Sequence, residues 1–230
     1  MKWFNNKKVY FLSASLICGN PLDLNKEIDE LNIAGVDSLH FDVMDGHFVP
    51  RIGLYPEILK SIKKKTNIPV DVHLMIKEPQ KYISIFAEAG ADAISVHLES
   101  DGDINKTIKM IKDYDIKAGV ALNPNSSVDK LDSIVNHVDI VMLMAIYPGI
   151  LGQKMLPDTF DKIKEISKKL ENHPDVVIEV DGGVTPNTAP DMIKSGAHLL
   201  VCGTGTIYRP HEDTILNKVK ELRKIIDASI

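Results

Sequence analysis

Histidine and aspartate alternate within two short apolar segments of this sequence. His40 and Asp42 lie in one segment, and Asp71 and His73 lie in the other. Side chains two positions apart on a β-strand point to the same face. If both segments are strands, each therefore places an imidazole beside a carboxylate. A buried ionic pair is costly unless something compensates it, and either a salt bridge or a metal ion would do so.

An aspartate at the end of another predicted strand strengthens the interpretation of a metal site. Asp181 follows another apolar segment, and imidazole and carboxylate ligands together suit Zn²⁺, Fe²⁺, Mn²⁺ or Co²⁺. The candidate metal ligands are His40, Asp42, His73 and Asp181. A lone histidine is more often structural, which is how we interpret His47 and His137, whereas His97 is either a structural residue or a support for the site.

Apolar, mostly β-branched segments alternate with amphipathic segments along the chain. This pattern is typical of buried parallel strands and of the helices that cover them. The predicted strands are Val9–Leu16, Ser38–Met44, Val70–Met75, Ala93–Leu98, Lys117–Leu122, Ile140–Ile146, Val176–Val180 and Leu199–Cys202. The predicted helices are Leu24–Ala34, Pro56–Lys65, Pro79–Ala89, Ile104–Tyr114, Ser127–Asn136, Pro157–Leu170, Pro186–Ser195 and His211–Ile226.

Eight strands alternating with eight helices predict a (β/α)₈ TIM barrel, which we expect to form a single domain over residues 1–230. The alternative is an open doubly wound sheet, but Cys18–Pro21 does not supply the glycine-rich turn expected after its first strand. A barrel places its active site at the carboxyl ends of the strands. Glycines follow strands six, seven and eight, where backbone N–H groups could bind a phosphate.

Composition limits the possible partners. The formal net charge of -5 argues against nucleic-acid binding, and no apolar run is long enough to span a membrane. Residues 9–18 are better explained by a first barrel strand than by an export signal. Cys18 and Cys202 lack metal-type spacing, which favours free thiols in a reducing cytoplasm. We expect a cytoplasmic homo-oligomer.

Several motifs occur in a recognisable order. They are Ser15–Leu16, His40–Pro50, Asp71–Met75, Asn123–Pro124, Met144, Pro148–Gly149, Gly152–Gln153, Val180–Gly183 and Gly203–Thr204. In these motifs the chain resembles the ribulose-phosphate 3-epimerase family over essentially its whole length. The segment His40–Pro50 is the most specific of them.

The resemblance implies a (β/α)₈ barrel that inverts C3 of a phosphorylated ketose with one divalent metal ion, Zn²⁺ or Fe²⁺ first and Mn²⁺ or Co²⁺ as alternatives. It implies that Asp42 and Asp181 are the acid/base pair and bind the metal together with His40 and His73. The implied substrate-binding residues are Ser15, Met44, His73, Met75, Met144, Gly149, Gly152, Gly182, Gly183, Gly203 and Thr204.

The chain departs from the family pattern at Ala14, at Arg51 and in the segment 147–153. We expect interconversion of D-ribulose 5-phosphate and D-xylulose 5-phosphate, with conversion of D-allulose 6-phosphate to fructose 6-phosphate as the alternative. A phosphosugar-binding regulator is the non-enzymatic alternative. A barrel aldolase or decarboxylase would want a lysine at a strand end, and the predicted strand ends carry none.

Overall fold

The computed structural model describes residues 8–150, 152–209 and 213–230. In these residues eight parallel strands pair in chain order and close into a barrel, because the last strand pairs with the first. The strands are β1 (Phe11–Ser15), β2 (Ser38–Met44), β3 (Val70–Met75), β4 (Ala93–His97), β5 (Lys117–Leu122), β6 (Ile140–Met144), β7 (Val177–Asp181) and β8 (Leu199–Cys202). The predicted TIM barrel is confirmed.

Helices cover the outside of the barrel. Those of the described residues are α1 (Leu24–Ala34), α2 (Pro56–Lys65), α3 (Ile83–Ala89), α4 (Ile104–Lys112), α5 (Thr159–Lys169), α6 (Ala189–Lys194) and α7 (Ile215–Asp227). Among them, none combines the length and hydrophobicity that a membrane span needs. The predicted start of the last helix, His211, lies outside the described residues.

The predicted α-helix between β5 and β6 is wrong. Two 3₁₀ segments, Val128–Ser133 and Val135–His137, lie there instead. The hydroxyl of Ser127 accepts a hydrogen bond from the Asp129 N–H at 3.2 Å. This bond caps the amino-terminal end of the first 3₁₀ segment.

The interior of the barrel changes from apolar to polar along its axis. Its amino-terminal layer consists of Phe11, Ala93, Ile140, Val177 and Leu199. Above this layer lie fully buried polar side chains, among them His40, Asp71, His73 and Glu179. Outward-facing strand residues instead pack against the helices in one large apolar core. The polar layer thus leads to the carboxyl ends of the strands.

A repeated clasp holds the amino-terminal end of the barrel. Before each even-numbered strand lies a polar residue that makes two hydrogen bonds with one residue of the preceding strand. Its backbone N–H donates to the carbonyl of that strand residue, and its side chain accepts a hydrogen bond from the N–H of the same strand residue. The pairs are Asp37 with Leu12, Asp92 with Val70, Asp139 with Ala118, and His198 with Ile178. Since each bond joins neighbouring strands, the clasps fix strand register opposite the candidate site.

Candidate active site and metal centre

The register of β2 and β3 aligns the two alternating segments. His40 lies opposite Asp71, and Asp42 lies opposite His73, in the parallel ladder. Every residue of both strands is buried. The alternation seen in the sequence therefore places these imidazoles and carboxylates on the inner face of the barrel.

Four side chains converge at the top of the polar layer. The Nε2 atom of His40 lies 3.3 Å from Nδ1 of His73, and Oδ1 of Asp42 lies 3.4 Å and 3.5 Å from these two nitrogens. The Oδ2 atom of Asp181 lies 3.9 Å and 3.7 Å from the same pair. The four ligand atoms lie within 4.8 Å of one another. These four residues are the candidate metal-binding group, which we call the metal centre.

The donor chemistry of the metal centre fits a divalent cation. Two imidazole nitrogens and two carboxylate oxygens point at one another, and their lone pairs repel unless a proton or a cation lies between them. These are ligands that Zn²⁺, Fe²⁺, Mn²⁺ and Co²⁺ accept. Asp181 belongs to β7, which pairs with neither β2 nor β3, so closure of the barrel is what brings it to the other ligands.

The protein's own charges move the pKa values of these groups apart. Burial would raise the pKa of Asp42, but His40 and His73 hold it well below its ordinary value. Burial raises the pKa of Asp181, and the negative charges of Asp42 and Asp71 raise it further against the opposing effect of the histidines. The two carboxyl groups therefore differ in their readiness to hold a proton.

Buried acids hold His40 from the side opposite the metal centre. Its Nδ1 atom lies 3.0 Å from Oδ2 of Asp71 and 3.4 Å from Oε1 of Glu179. Burial lowers the pKa of His40, but Asp42 and these two neighbouring acids raise it well above its ordinary value. Burial, together with the charge of Asp71, raises the pKa of Glu179 to about 8.

A cavity of about 520 Å³ opens above the metal centre. Among its lining residues are the predicted substrate contacts Ser15, Met44, Met75, Met144, Gly149, Gly152, Gly182, Gly183, Gly203 and Thr204, together with Asp42 and Asp181. His73 and His40 lie below it, fully buried. The hydroxyl of Ser15 donates to Oδ2 of Asp42 at 2.9 Å, which orients this carboxylate.

The turn after β7 requires glycine. Gly182 and Gly183 have φ angles of +96° and +66°, which L side chains rarely adopt. A Cβ atom on Gly182 would lie 2.4 Å from Cγ1 of Ile146. The backbone of this turn lines the cavity, next to the turn at Gly203 that follows the neighbouring strand β8.

The cavity also has lining residues that the sequence did not assign to the site. Arg51 follows β2, and Gln153 and Lys154 follow β6. The amide nitrogen of Gln153 donates to the carbonyls of Tyr147 and Ile150 at 2.6 and 3.0 Å and so braces the loop. These residues lie in loops beyond the strand ends, and strand alternation gave no signal for them. Leu151, in the segment 147–153 that departs from the family pattern, lies outside the described residues.

Both cysteines are free thiols in the structure. Burial raises the pKa of Cys202 to about 12 and also raises the pKa of Cys18, which lines the cavity. Neither thiol is therefore ionised near neutral pH, and neither belongs to the metal centre.

Comparisons with known proteins concern the chain as a whole. Residues 11–207 match the model of the ribulose-phosphate 3 epimerase family. The chain is 40% identical to the ribulose-phosphate 3-epimerase of Bacillus subtilis, over 91% of this chain and 97% of that protein. It is 34% identical to the Escherichia coli K12 protein of the same name, over 95% of this chain and 98% of that protein.

Solved structures share the fold at low sequence identity. A mutant tryptophan synthase α-subunit from Pyrococcus furiosus superposes with a TM-score of 0.68 at 16% identity, over 95% of this chain and 99% of that chain. A 3-hexulose-6-phosphate synthase superposes with a TM-score of 0.66 at 19% identity, over 94% of this chain and 99% of that chain. At these identities the likeness concerns the barrel alone.

Proposed function

The chain belongs to the ribulose-phosphate 3-epimerase family, and on that premise we propose that it interconverts D-ribulose 5-phosphate and D-xylulose 5-phosphate with one bound divalent metal ion. One observation carries the proposal. The four ligand atoms of the metal centre lie within 4.8 Å of one another, directly below the cavity. His40, Asp42, His73 and Asp181 would hold the ion, and the donor set favours Zn²⁺ or Fe²⁺ and also accepts Mn²⁺ or Co²⁺.

The two aspartates move the C3 proton. When bound, the metal ion supplies positive charge that stabilises the enediolate left after C3 loses its proton. One carboxylate takes the proton from one face of C3, and the other returns a proton to the opposite face, which inverts the carbon. The pKa of Asp42 is lowered and the pKa of Asp181 is raised, so the two carboxyl groups differ in proton affinity, which supports a division of the two roles between them.

The rest of the cavity would hold the substrate. Met44, Met75 and Met144 supply apolar, polarisable walls without hydrogen-bond donors that compete for the sugar oxygens. The glycine turns after β7 and β8 would bind the phosphate through backbone N–H groups, as loops seven and eight commonly do in this fold. Ser15 would keep the Asp42 carboxylate turned toward the metal centre.

The proposal is tested by incubating the protein in D₂O with D-ribulose 5-phosphate and, separately, with D-allulose 6-phosphate, and examining the products by NMR. We expect deuterium at C3 of D-xylulose 5-phosphate, because the proton returned is not the proton removed. Product that keeps its own C3 hydrogen would contradict the two-carboxylate scheme. Faster inversion of the hexulose phosphate would change the assigned substrate, and inversion of neither sugar would favour a binding protein.

The same assay tests the metal. Dialysis against a strong chelator should abolish turnover, and added Zn²⁺, Fe²⁺, Mn²⁺ or Co²⁺ should restore it, since the four ligands serve one ion. Full activity in protein shown by elemental analysis to be metal-free would refute metal dependence.

A further inference from the structure

A histidine outside the metal centre touches one of its ligands. His97, at the end of β4, has no exposed surface, and its Nε2 atom lies 2.8 Å from Nε2 of His73. We propose that His97 and Glu99 are positioning residues that hold His73 in the one tautomer able to bind the metal. This inference rests on the proposed function, because it concerns the same ion.

The geometry forms a chain of three side chains. The Nε2 atom of His73 faces His97, while its Nδ1 atom faces the metal centre. The Nδ1 atom of His97 lies 3.2 Å from Oε2 of Glu99, which lies in the loop after β4. We call this the His73–His97–Glu99 chain, and each step in it is a single hydrogen bond.

The direction of these bonds follows from the chemistry of imidazole. A nitrogen that binds metal needs its lone pair, so Nδ1 of His73 carries no hydrogen and Nε2 does. The Nε2–H of His73 then donates to Nε2 of His97, so this nitrogen of His97 must be unprotonated. His97 therefore carries its hydrogen on Nδ1 and donates it to Glu99. The ionised carboxylate of Glu99 can only accept hydrogen bonds, so it determines the direction of both bonds in the chain.

The structure holds Glu99 in the accepting state. Its Oε1 atom accepts hydrogen bonds from the hydroxyl of Ser126 and from the N–H of Asn123, which leaves Oε2 to face His97. Burial opposes ionisation of Glu99, but the hydrogen bonds from His97 and Ser126 lower its pKa below the ordinary value. Glu99 therefore stays an acceptor at neutral pH.

The two histidine ligands reach their carboxylates differently. His40 contacts Asp71 directly at 3.0 Å, whereas His73 reaches Glu99 only through the ring of His97. Partners of this kind fix the tautomer of metal-binding histidines and raise their affinity for the ion. Through His97, the carboxylate of Glu99 near the surface fixes the tautomer of His73 in the same way.

The substitution Glu99→Gln tests the direction of the chain. The glutamine amide can donate to Nδ1 of His97, which reverses both bonds and places a hydrogen on Nδ1 of His73. We expect the dissociation constant for Co²⁺ to rise by about 10- to 100-fold, measured by titrating metal-free protein and following the visible absorption of bound Co²⁺. Glu88→Gln makes the same change at an exposed position on α3 and should bind Co²⁺ like the wild type. Equal affinity of all three proteins would overturn the proposal.

A measurement on the wild type makes the test independent of how the variant folds. Long-range ¹H–¹⁵N NMR spectra of the Zn²⁺-loaded protein should show His97 as the Nδ1–H tautomer and His73 protonated at Nε2. His97 protonated at Nε2 would overturn the chain even if the metal site is intact. A wild-type protein that binds no metal would overturn the chain together with the metal part of the proposed function, whereas a metal-binding wild type with an unaffected Glu99→Gln variant would overturn the chain alone.

Discussion

Asp42 and Asp181 share one metal centre but differ in their surroundings. Asp42 accepts a hydrogen bond from Ser15 and contacts both imidazoles, which favour its ionised form. Asp181 is more exposed at its side chain, 16% against 7%, and its nitrogen contacts are longer. Burial and neighbouring negative charge favour its protonated form. Asp181 therefore holds a proton more readily than Asp42 does.

We expect Asp181→Asn to lower kcat by about 10²- to 10⁴-fold, the usual effect of losing an acid or base. The asparagine can still offer an oxygen to the metal, so elemental analysis of the purified variant separates a lost proton carrier from a lost ion. Asp175→Asn, an exposed carboxylate near the start of β7, is the matched control and should keep wild-type kcat. A metal-loaded Asp181→Asn enzyme with full kcat would exclude the acid/base role.

Helix α5 and the loop after β5 are joined by a lysine. The Lys162 ammonium on α5 donates to the carbonyl oxygens of Asn123, Pro124 and Ser126. These carbonyls lie before the first 3₁₀ segment, and the lysine connects them to the outer helix. The same loop supplies the two donors that hold Glu99. An outer helix thereby supports the His73–His97–Glu99 chain.

Replacing Lys162 with methionine keeps most of the side-chain volume and removes these donors. We expect Lys162→Met to reduce the free energy of unfolding by about 1–3 kcal/mol, the range for hydrogen bonds made by charged groups and for acceptors left unpaired. Denaturant unfolding of the metal-free protein measures it. Lys164→Met, on the exposed side of the same helix, should change stability much less. Equal losses in both variants would show that the carbonyl contacts contribute nothing.

The barrel as a whole separates stability from chemistry at its two ends. At the amino-terminal end, the clasp residues bind neighbouring strands, and basic side chains bind the three clasp aspartates. Lys63 pairs with Asp92 at 2.6 Å, and Lys117 pairs with Asp139 at 2.9 Å. At the carboxyl-terminal end, loops and buried charges form the cavity and the metal centre. Changes at the clasps should therefore alter unfolding more than turnover.

Asp139 gives a pH-dependent test of the clasps. Burial would raise its pKa, but hydrogen bonds from Lys112, Lys117 and the Ala118 N–H lower it below the ordinary value. A pKa lowered by folding stabilises the fold above the unfolded-state pKa of about 3.9, and this contribution is lost as the pH falls through the folded-state pKa. Asp139→Asn should therefore cost about 1–3 kcal/mol of unfolding free energy at pH 7, and the cost should shrink below about pH 4.

Denaturant unfolding of the wild type and the variant at several pH values measures this difference. Asp161→Asn, whose side chain is 84% exposed on α5, should show little difference at any pH. A cost for Asp139→Asn that stays constant from pH 7 to pH 3 would show that the charge of Asp139 is not what stabilises the clasp.

The sequence by itself determined the class of fold and the chemistry on each strand. Alternation with period two placed His40 and Asp42 on one face, and the bounds of β2, β3, β5 and β8 agree with the prediction. These features are local, because a strand's faces follow from backbone geometry alone. The metal-ligand types likewise needed only the identities of the residues.

The tertiary structure decided which of these groups meet. Asp181 is 108 positions from His73 and lies on β7, which pairs with neither β2 nor β3, so only barrel closure brings its carboxylate to 3.7 Å from Nδ1 of His73. Likewise, only the packed interior turns His97 onto His73, and only the loops place Arg51 and Lys154 at the cavity. These contacts join residues distant in the chain, and no local propensity encodes their distance or direction.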